Sequence, residues 1–349
     1  MNFVRSLISV TILCVFTCCE SAVAPPEDDK AMSLAEYHDN STRADRLTGG
    51  VRMIPIETPS GTFNVYTRRV GNNADIKLLM LHGGPGSTHE YWQPADAYLP
   101  QEGIEYYYYD QLGSHFSDQP TDTSLWNIDR FVDEVEQVRK ALDLGPDNFY
   151  LIGHSWGGIL AMEYALAHQD QLKGLIISNM MSDCPAYGQY AHDVLGPGLG
   201  DDIYQKIVAF EDAEDFGNPE YLRIMEEIHY PKHVLRMPLE SWPITATNAF
   251  AHINPDIYVP MQGPSEFGIR GKLANWSVTD RLSEIEVPTL VIAGQHDTMD
   301  PEHMSMMANE LPNGQLLMLD EGSHMAMYDD QEDYFEGLVK FLQSSSAAE

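Results

Sequence analysis

Two apolar patterns alternate along this chain. Short uninterrupted apolar or aromatic runs, "DIKLLMLH" (75–82), "IEYYYYD" (104–110), "NFYLIG" (148–153), "LKGLIISN" (172–179), "VPTLVIAG" (287–294) and "GQLLMLD" (314–320), read as β-strands. Between them lies a helical period. In "NIDRFVDEVEQVRKALDLG" (127–145), Ile128, Phe131, Val132, Val135, Val138 and Leu142 share one face, Asn127 stands at the capping position, and Gly145-Pro146 stop the helix. "VRMIPIET" (51–58) and "TFNVYTRRV" (62–70) predict a hairpin around Pro59-Ser60-Gly61. Strands as apolar as the first set are buried on both faces, which predicts a mostly parallel central sheet covered by helices, an α/β fold.

The rhythm breaks between 181 and about 270. This stretch is rich in Met, Tyr, His and Pro and contains helical pieces such as "PEYLRIMEEIHY" (219–230), but no strand–helix pair. An insertion between two parallel strands emerges at one edge of the sheet and covers it. The expected organisation is therefore a core of residues 46–180 and 271–345, interrupted by a helical cap at 181–270.

The amino terminus reads as an export signal: a short start with Arg5, then "SLISVTILCVFT", apolar but too short to span a bilayer comfortably. Cleavage after Ala24 would leave residues 25–45, polar and proline-led, as a tether. Cys18 or Cys19 as a lipid-modified terminus is the alternative. The expected location is thus outside the cytoplasm, periplasmic or secreted. Three of the four cysteines fall in this segment, so the mature domain keeps Cys184 alone. One cysteine forms no internal disulfide and no thiolate metal cluster.

Charge narrows the partners. Against 53 acidic residues stand 20 basic ones, a formal net charge of −33, which repels nucleic acid and anionic membrane. No HExxH, phosphate-binding glycine loop or dinucleotide fingerprint is present, so neither a metal nor a cofactor is expected.

The candidate chemistry sits where "NFYLIG" runs into the following helix through Gly153-His154-Ser155-Trp156-Gly157. Strand, tight turn and helix around G-x-S-x-G form a nucleophile elbow, in which the serine hydroxyl stands exposed above the sheet. A serine hydroxyl is a weak nucleophile and needs a histidine base, which in turn needs a carboxylate to fix its tautomer. Their expected order is Ser, acid, His, at the ends of later strands. Asp297 follows "VPTLVIAG" and His324 follows "GQLLMLD"; His296 precedes the acid and lacks the strand position. The oxyanion of an acyl-transfer intermediate needs preorganised N–H donors. The residue after the nucleophile, Trp156, supplies one. The loop "HGGPG" (82–86) supplies the other, with the Gly84 amide the candidate.

"HGGPG", "YDQLGS" (109–114), "GHSWGGILAMEYA" (153–165) and "GPSEF" (263–267) together resemble the proline iminopeptidase family of α/β-hydrolases, close to the tricorn-interacting aminopeptidase type. The likeness runs from about residue 50 to 342. It implies an α/β-hydrolase fold and a serine exopeptidase that releases an N-terminal residue, proline or another small apolar one, from short peptides or aminoacyl compounds. In that family carboxylates near the cap hold the substrate's free amine, and the matching position is Glu266. A protonated amine buried from water needs such a partner. Where the family carries a second glutamate after the catalytic aspartate, this chain has Thr298. Asp300, Glu226 and Glu227 are the nearby carboxylates. His115-Phe116 stands where the family often reads Gly-Arg. These two departures motivate an alternative activity on the same triad, an amino-acid amidase or carboxylesterase.

Overall fold

The computed structural model describes residues 32–346. The predicted signal segment, with Cys14, Cys18 and Cys19, lies outside these residues. Eight strands form one sheet in the order β1-β2-β4-β3-β5-β6-β7-β8. They are β1 Val51–Thr58, β2 Gly61–Val70, β3 Lys77–Leu81, β4 Glu105–Asp110, β5 Phe149–His154, β6 Gly174–Ser178, β7 Thr289–Gly294 and β8 Gly314–Leu319. β1 and β2 pair antiparallel, as do β2 and β4. From β4 to β8 every pairing is parallel, so the carboxyl ends of six strands share one edge. That edge is where open α/β sheets bind ligands.

Side-chain alternation divides the core between the two faces. Leu79, Leu81, Tyr107, Tyr109 and Leu151 join the cluster that contains Phe131, Val135 and Val138 of helix Ile128–Ala141. Leu78, Met80, Tyr106, Tyr108 and Ile152 join the cluster that contains Tyr334, Phe335, Leu338 and Phe341 of the last helix. Helix Ile128–Ala141 starts where expected, with the Asn127 side chain accepting from the Arg130 N–H at 3.0 Å. β8 departs from the two-sided burial expected of it, with Leu316 42% exposed, because it is the last strand and has a strand neighbour on one side only.

Residues from Ser33 to Asp45 are not the tether their polarity suggests. Ser33 and Glu36 form a reciprocal cap on the turn Leu34–Tyr37. Tyr37 is buried and donates to the Ile104 carbonyl at 2.8 Å. Asp45 accepts from Arg69 Nε and Nη2 at 3.0 and 2.7 Å, and Arg43 reaches Glu105 at 2.8 Å. Charge alone hid this docking, because each charged group meets its partner on the sheet rather than within its own segment.

Between β6 and β7 the chain leaves the sheet and returns through a bridge between Asp183 and Ser277. The intervening helices include Cys184–Tyr190, Asp201–Asp212, Pro219–Ile224, Ile244–Ala251 and Pro255–Met261. The stretch expected as one cap has two characters. Leu195, Ile207, Tyr221, Ile224, Met225 and Phe267 enclose a small core of their own. Val234, Leu235, Ala246 and Ala249 join one main core, and Ile257 and Met261 the other.

Candidate active site

β5 is buried along its whole length and ends at His154. The chain then turns through Ser155 at φ 56°, ψ −128°, a strained conformation for a residue with a Cβ, before helix Trp156–His168 begins. Close packing dictates the flanking glycines. A Cβ on Gly153 would lie 1.9 Å from the Gly157 carbonyl oxygen, and one on Gly157 would lie 2.5 Å from the Leu81 carbonyl oxygen. The turn therefore survives only with glycine at both positions, and it lifts the serine side chain off the sheet.

Asp297 follows β7 and His324 follows β8, and the two side chains meet: Nδ1 of His324 donates to Oδ1 of Asp297 at 2.8 Å. Asp297 also accepts from Asn179 Nδ2 at 2.7 Å and from the Met299 N–H at 3.1 Å. Burial opposes its ionisation, but the His324 charge and these donors outweigh burial and hold its pKa below the ordinary carboxylate value. Burial likewise disfavours a charged His324, yet the Asp297 carboxylate and, more weakly, Glu266 raise its pKa. Ser155 and His324 line one small cavity of about 40 Å³, shared with Gly83, Gly84, Val234, Phe250 and Glu266.

The "HGGPG" loop is pinned beside the elbow. The Gln111 N–H donates to His82 Nε2 at 3.0 Å, so the proton of this histidine sits on Nδ1, which donates to the Gly83 carbonyl at 2.9 Å. Gln111 also donates to the His82 carbonyl and accepts from the Trp156 indole N–H at 2.8 Å. "YDQLGS" thereby ties the loop to the residue after the nucleophile. The Gly83 amide is taken by the Tyr91 hydroxyl at 2.6 Å. Gly84 adopts φ +106°, a value that favours glycine. The backbone amides of Gly84 and Trp156 have no hydrogen-bond partner among the described residues.

Glu266 enters the cavity from the insertion, half-buried. Its Oε1 accepts from the Tyr258 hydroxyl, and its backbone carbonyl accepts from the Tyr187 hydroxyl at 2.6 Å. Burial pushes the Glu266 carboxyl up, only partly opposed by His324 and Tyr258. The other carboxylates weighed from sequence are elsewhere. Asp300 caps helix Pro301–Glu310, and Glu226 and Glu227 are exposed, the latter 3.2 Å from Arg223. Thr298 is buried, and its hydroxyl sits 3.2 Å from Asp297 Oδ1 and 3.3 Å from His324 Nδ1. His115 stacks on His252 with ring centroids 3.9 Å apart, and Phe116 packs against Tyr66 and His89. His233 Nδ1 donates to the His296 carbonyl at 3.0 Å, and neither histidine lines the cavity that Ser155 and His324 share.

Asn179, Tyr91 and His154 were not singled out from sequence. Asn179 holds the free oxygen of Asp297, at φ +53° just past the end of β6. An asparagine at a strand's carboxyl end tolerates that conformation and was the available signal.

Comparison with known proteins adds the family. A family model described as alpha/beta hydrolase fold matches residues 77–195, from β3 past the elbow. The chain is 50% identical over 290 residues to a proline iminopeptidase of Flavobacterium johnsoniae, covering 83% of this chain and 97% of that one. It is 48% identical over 293 residues to a proline iminopeptidase of Elizabethkingia meningoseptica, with the same coverage. The chain belongs to the proline iminopeptidase family. Among solved structures, proline iminopeptidase of Mycobacterium smegmatis superposes with a TM-score of 0.77 at 29% identity, covering 85% of this chain and 99% of that one. VinJ superposes with the same TM-score and identity. The protein is thus an enzyme, a serine hydrolase of the α/β-hydrolase fold, and the resemblance read from four motifs extends over 97% of the length of these two relatives.

Proposed function

We propose that this enzyme releases the N-terminal residue of short peptides, proline or another small apolar residue, through a Ser155–His324–Asp297 triad. The observation that carries the reading is a carboxylate, Glu266, in the same small cavity as Ser155 and His324. Ser155 Oγ attacks the carbonyl of the first residue while His324 Nε2 takes its proton. The Gly84 and Trp156 amides receive the oxyanion. His324 then passes the proton to the departing amine, leaving an acyl-enzyme. Water repeats the sequence: His324 removes its proton, the acyl–Oγ bond breaks, and the proton returns to Ser155. Asp297 keeps the His324 proton on Nδ1, which frees Nε2 for transfer.

Glu266 holds the substrate's ammonium by a charge-assisted hydrogen bond. Thr298, hydrogen-bonded to the triad, supports the triad's geometry rather than the amine. The test is a panel of aminoacyl anilides, proline first, with free and acetylated amines, run on wild type, Ser155→Ala and Glu266→Gln. Wild type should cleave free-amine substrates only, and Glu266→Gln should abolish that preference. Equal loss on both substrate types overturns the anchoring role and leaves an amidase or esterase.

Export from the cytoplasm is part of the same proposal. It rests on the Arg5 start and the apolar run that follows. Fractionation of cells expressing the full chain, with N-terminal sequencing of the product, tests it; intact Met1 in the cytosol refutes it.

A further inference from the structure

Three buried hydrogen bonds run in series between the loop that carries Gly84 and the loop that carries His324. The Gly83 N–H donates to Tyr91 Oη at 2.6 Å, Tyr91 Oη lies 3.1 Å from His154 Nδ1, and His154 Nε2 lies 2.7 Å from the His324 backbone carbonyl. Tyr91, His154 and His324 are each no more than 5% exposed. The direction of every bond is fixed. A carbonyl oxygen only accepts, so Nε2 of His154 carries the proton. Burial, reinforced by the nearby His324, lowers the His154 pKa to about 3, so the ring is neutral and its Nδ1 accepts. Tyr91 must therefore donate to Nδ1, and its oxygen is left to accept from Gly83. Burial also keeps the Tyr91 phenol protonated by raising its pKa. No donor in the series is wasted, and no step needs a charge.

We propose that Tyr91 and His154 are positioning residues that lock the oxyanion loop to the catalytic base. The proposal rests on the serine-hydrolase reading above, and it assigns the variable residue of G-x-S-x-G a task. Two further observations point the same way. Gly83 packs against the nucleophile so closely that a Cβ there would lie 2.9 Å from Ser155 Cβ. With the Gly83 amide occupied by Tyr91, the next amide, that of Gly84, is the one left to face the cavity. The rings of the series are also held sideways: Tyr91 and Trp92 both pack edgewise or stacked against their neighbours, at 5.2 Å and 5.8 Å from the His154 ring. His154 lies 4.9 Å from the His324 ring, where a second cation would oppose the imidazolium formed during catalysis. A neutral histidine bonded through Nε2 holds the loop without that penalty.

The test uses Tyr91→Phe, which keeps the ring and removes the hydroxyl, together with His154→Leu and the double variant. Each is assayed on the favoured free-amine anilide, with Ser155→Ala as the measure of whether the serine chemistry stands. A misaligned oxyanion donor loses part of the roughly 10²–10³-fold that such a donor contributes. Tyr91→Phe should therefore lower kcat about 10- to 100-fold with KM within about 2-fold. The position of the acidic limb should not move, since the charge environment of His324 is unchanged. The double variant should be no slower than His154→Leu, because both break one series. Unchanged kcat in folded Tyr91→Phe overturns the proposal, as does a change confined to KM, or multiplicative losses in the double variant. If His154→Leu does not fold, His154→Gln, which keeps a donor toward the His324 carbonyl, should retain more activity than Tyr91→Phe/His154→Gln; equality overturns the series. Activity retained in Ser155→Ala would instead remove the underlying function.

Discussion

Asn179 is the residue whose replacement separates structure from chemistry most clearly. It is fully buried, and it donates to Asp297 Oδ2 at 2.7 Å and to the Ser323 carbonyl at 3.1 Å while accepting from Ser178 Oγ at 2.8 Å. Asn179→Ala removes a hydrogen bond to a charged acceptor, about 1.5–3 kcal/mol, and leaves neutral partners unpaired at about 0.5–1.5 kcal/mol each. It also forces alanine into φ +53°, at roughly 1–2 kcal/mol. The sum is about 3.5–8 kcal/mol of stability. Catalysis should suffer less, about 10-fold in kcat, since Asp297 keeps His324, Met299 and Thr298. That is far from the roughly 10⁴-fold cost of disabling the triad acid. Asn179→Gly deletes the same hydrogen bonds but suits the backbone, so it should recover about 1 kcal/mol. Urea unfolding by linear extrapolation, beside anilide kinetics, reads both quantities. An alanine variant within 1 kcal/mol of wild type, or a glycine variant no more stable than it, refutes this account of Asn179.

Two other outcomes follow from the geometry. Gly83→Ala should displace the loop or the nucleophile and lose at least about 10-fold in kcat/KM, because its Cβ would stand 2.9 Å from Ser155 Cβ and 3.4 Å from Ser155 Oγ; slow labelling by a serine-reactive phosphonate checks this, and a fully active variant contradicts the position of the loop. The kcat/KM profile should be bell-shaped: it rises as His324 deprotonates, above the ordinary histidine value of about 6.5, and falls near pH ~8 as the substrate amine loses its charge. A plateau extending past pH 9 removes the ammonium from the recognition scheme.

Much of this molecule is legible in its sequence because burial and backbone geometry leave periodic marks. Six apolar runs become parallel strands, the 3.6-residue stripe of 128–142 becomes a helix that opens at Asn127, and the order Ser155, Asp297, His324 follows from strand ends. What escaped depends on pairings between distant segments. The docking of Asp45 on Arg69 looks like polar linker until both residues are placed. Val234 and Met261 resemble cap residues because nothing local says which core they reach. The Tyr91–His154 series is invisible for the same reason: its members come from the loop after β3, the short helix His89–Ala97, the end of β5 and the loop after β8, and their roles are fixed by tautomers rather than by residue type.

The position of Glu266 links recognition to proton transfer. Its carboxylate contributes to raising the His324 pKa, while His324 opposes the rise that burial imposes on Glu266. The two groups line one small cavity, close enough for their charges to act on each other. In the free enzyme the Glu266 charge favours a protonated His324, which is the wrong form for a base. In the proposed scheme a substrate ammonium seated on Glu266 cancels that charge and removes the Glu266 share of the rise, while the larger share from Asp297 remains. A substrate without a free amine leaves the Glu266 charge, and its share of the rise, in place. If Glu266 anchors the amine as proposed, it acts on its substrate twice, by pairing with the amine and by lowering the His324 pKa when the amine is present. The acidic limb of kcat, which reports the bound complex, should accordingly lie below that of kcat/KM, and in Glu266→Gln the two limbs should coincide.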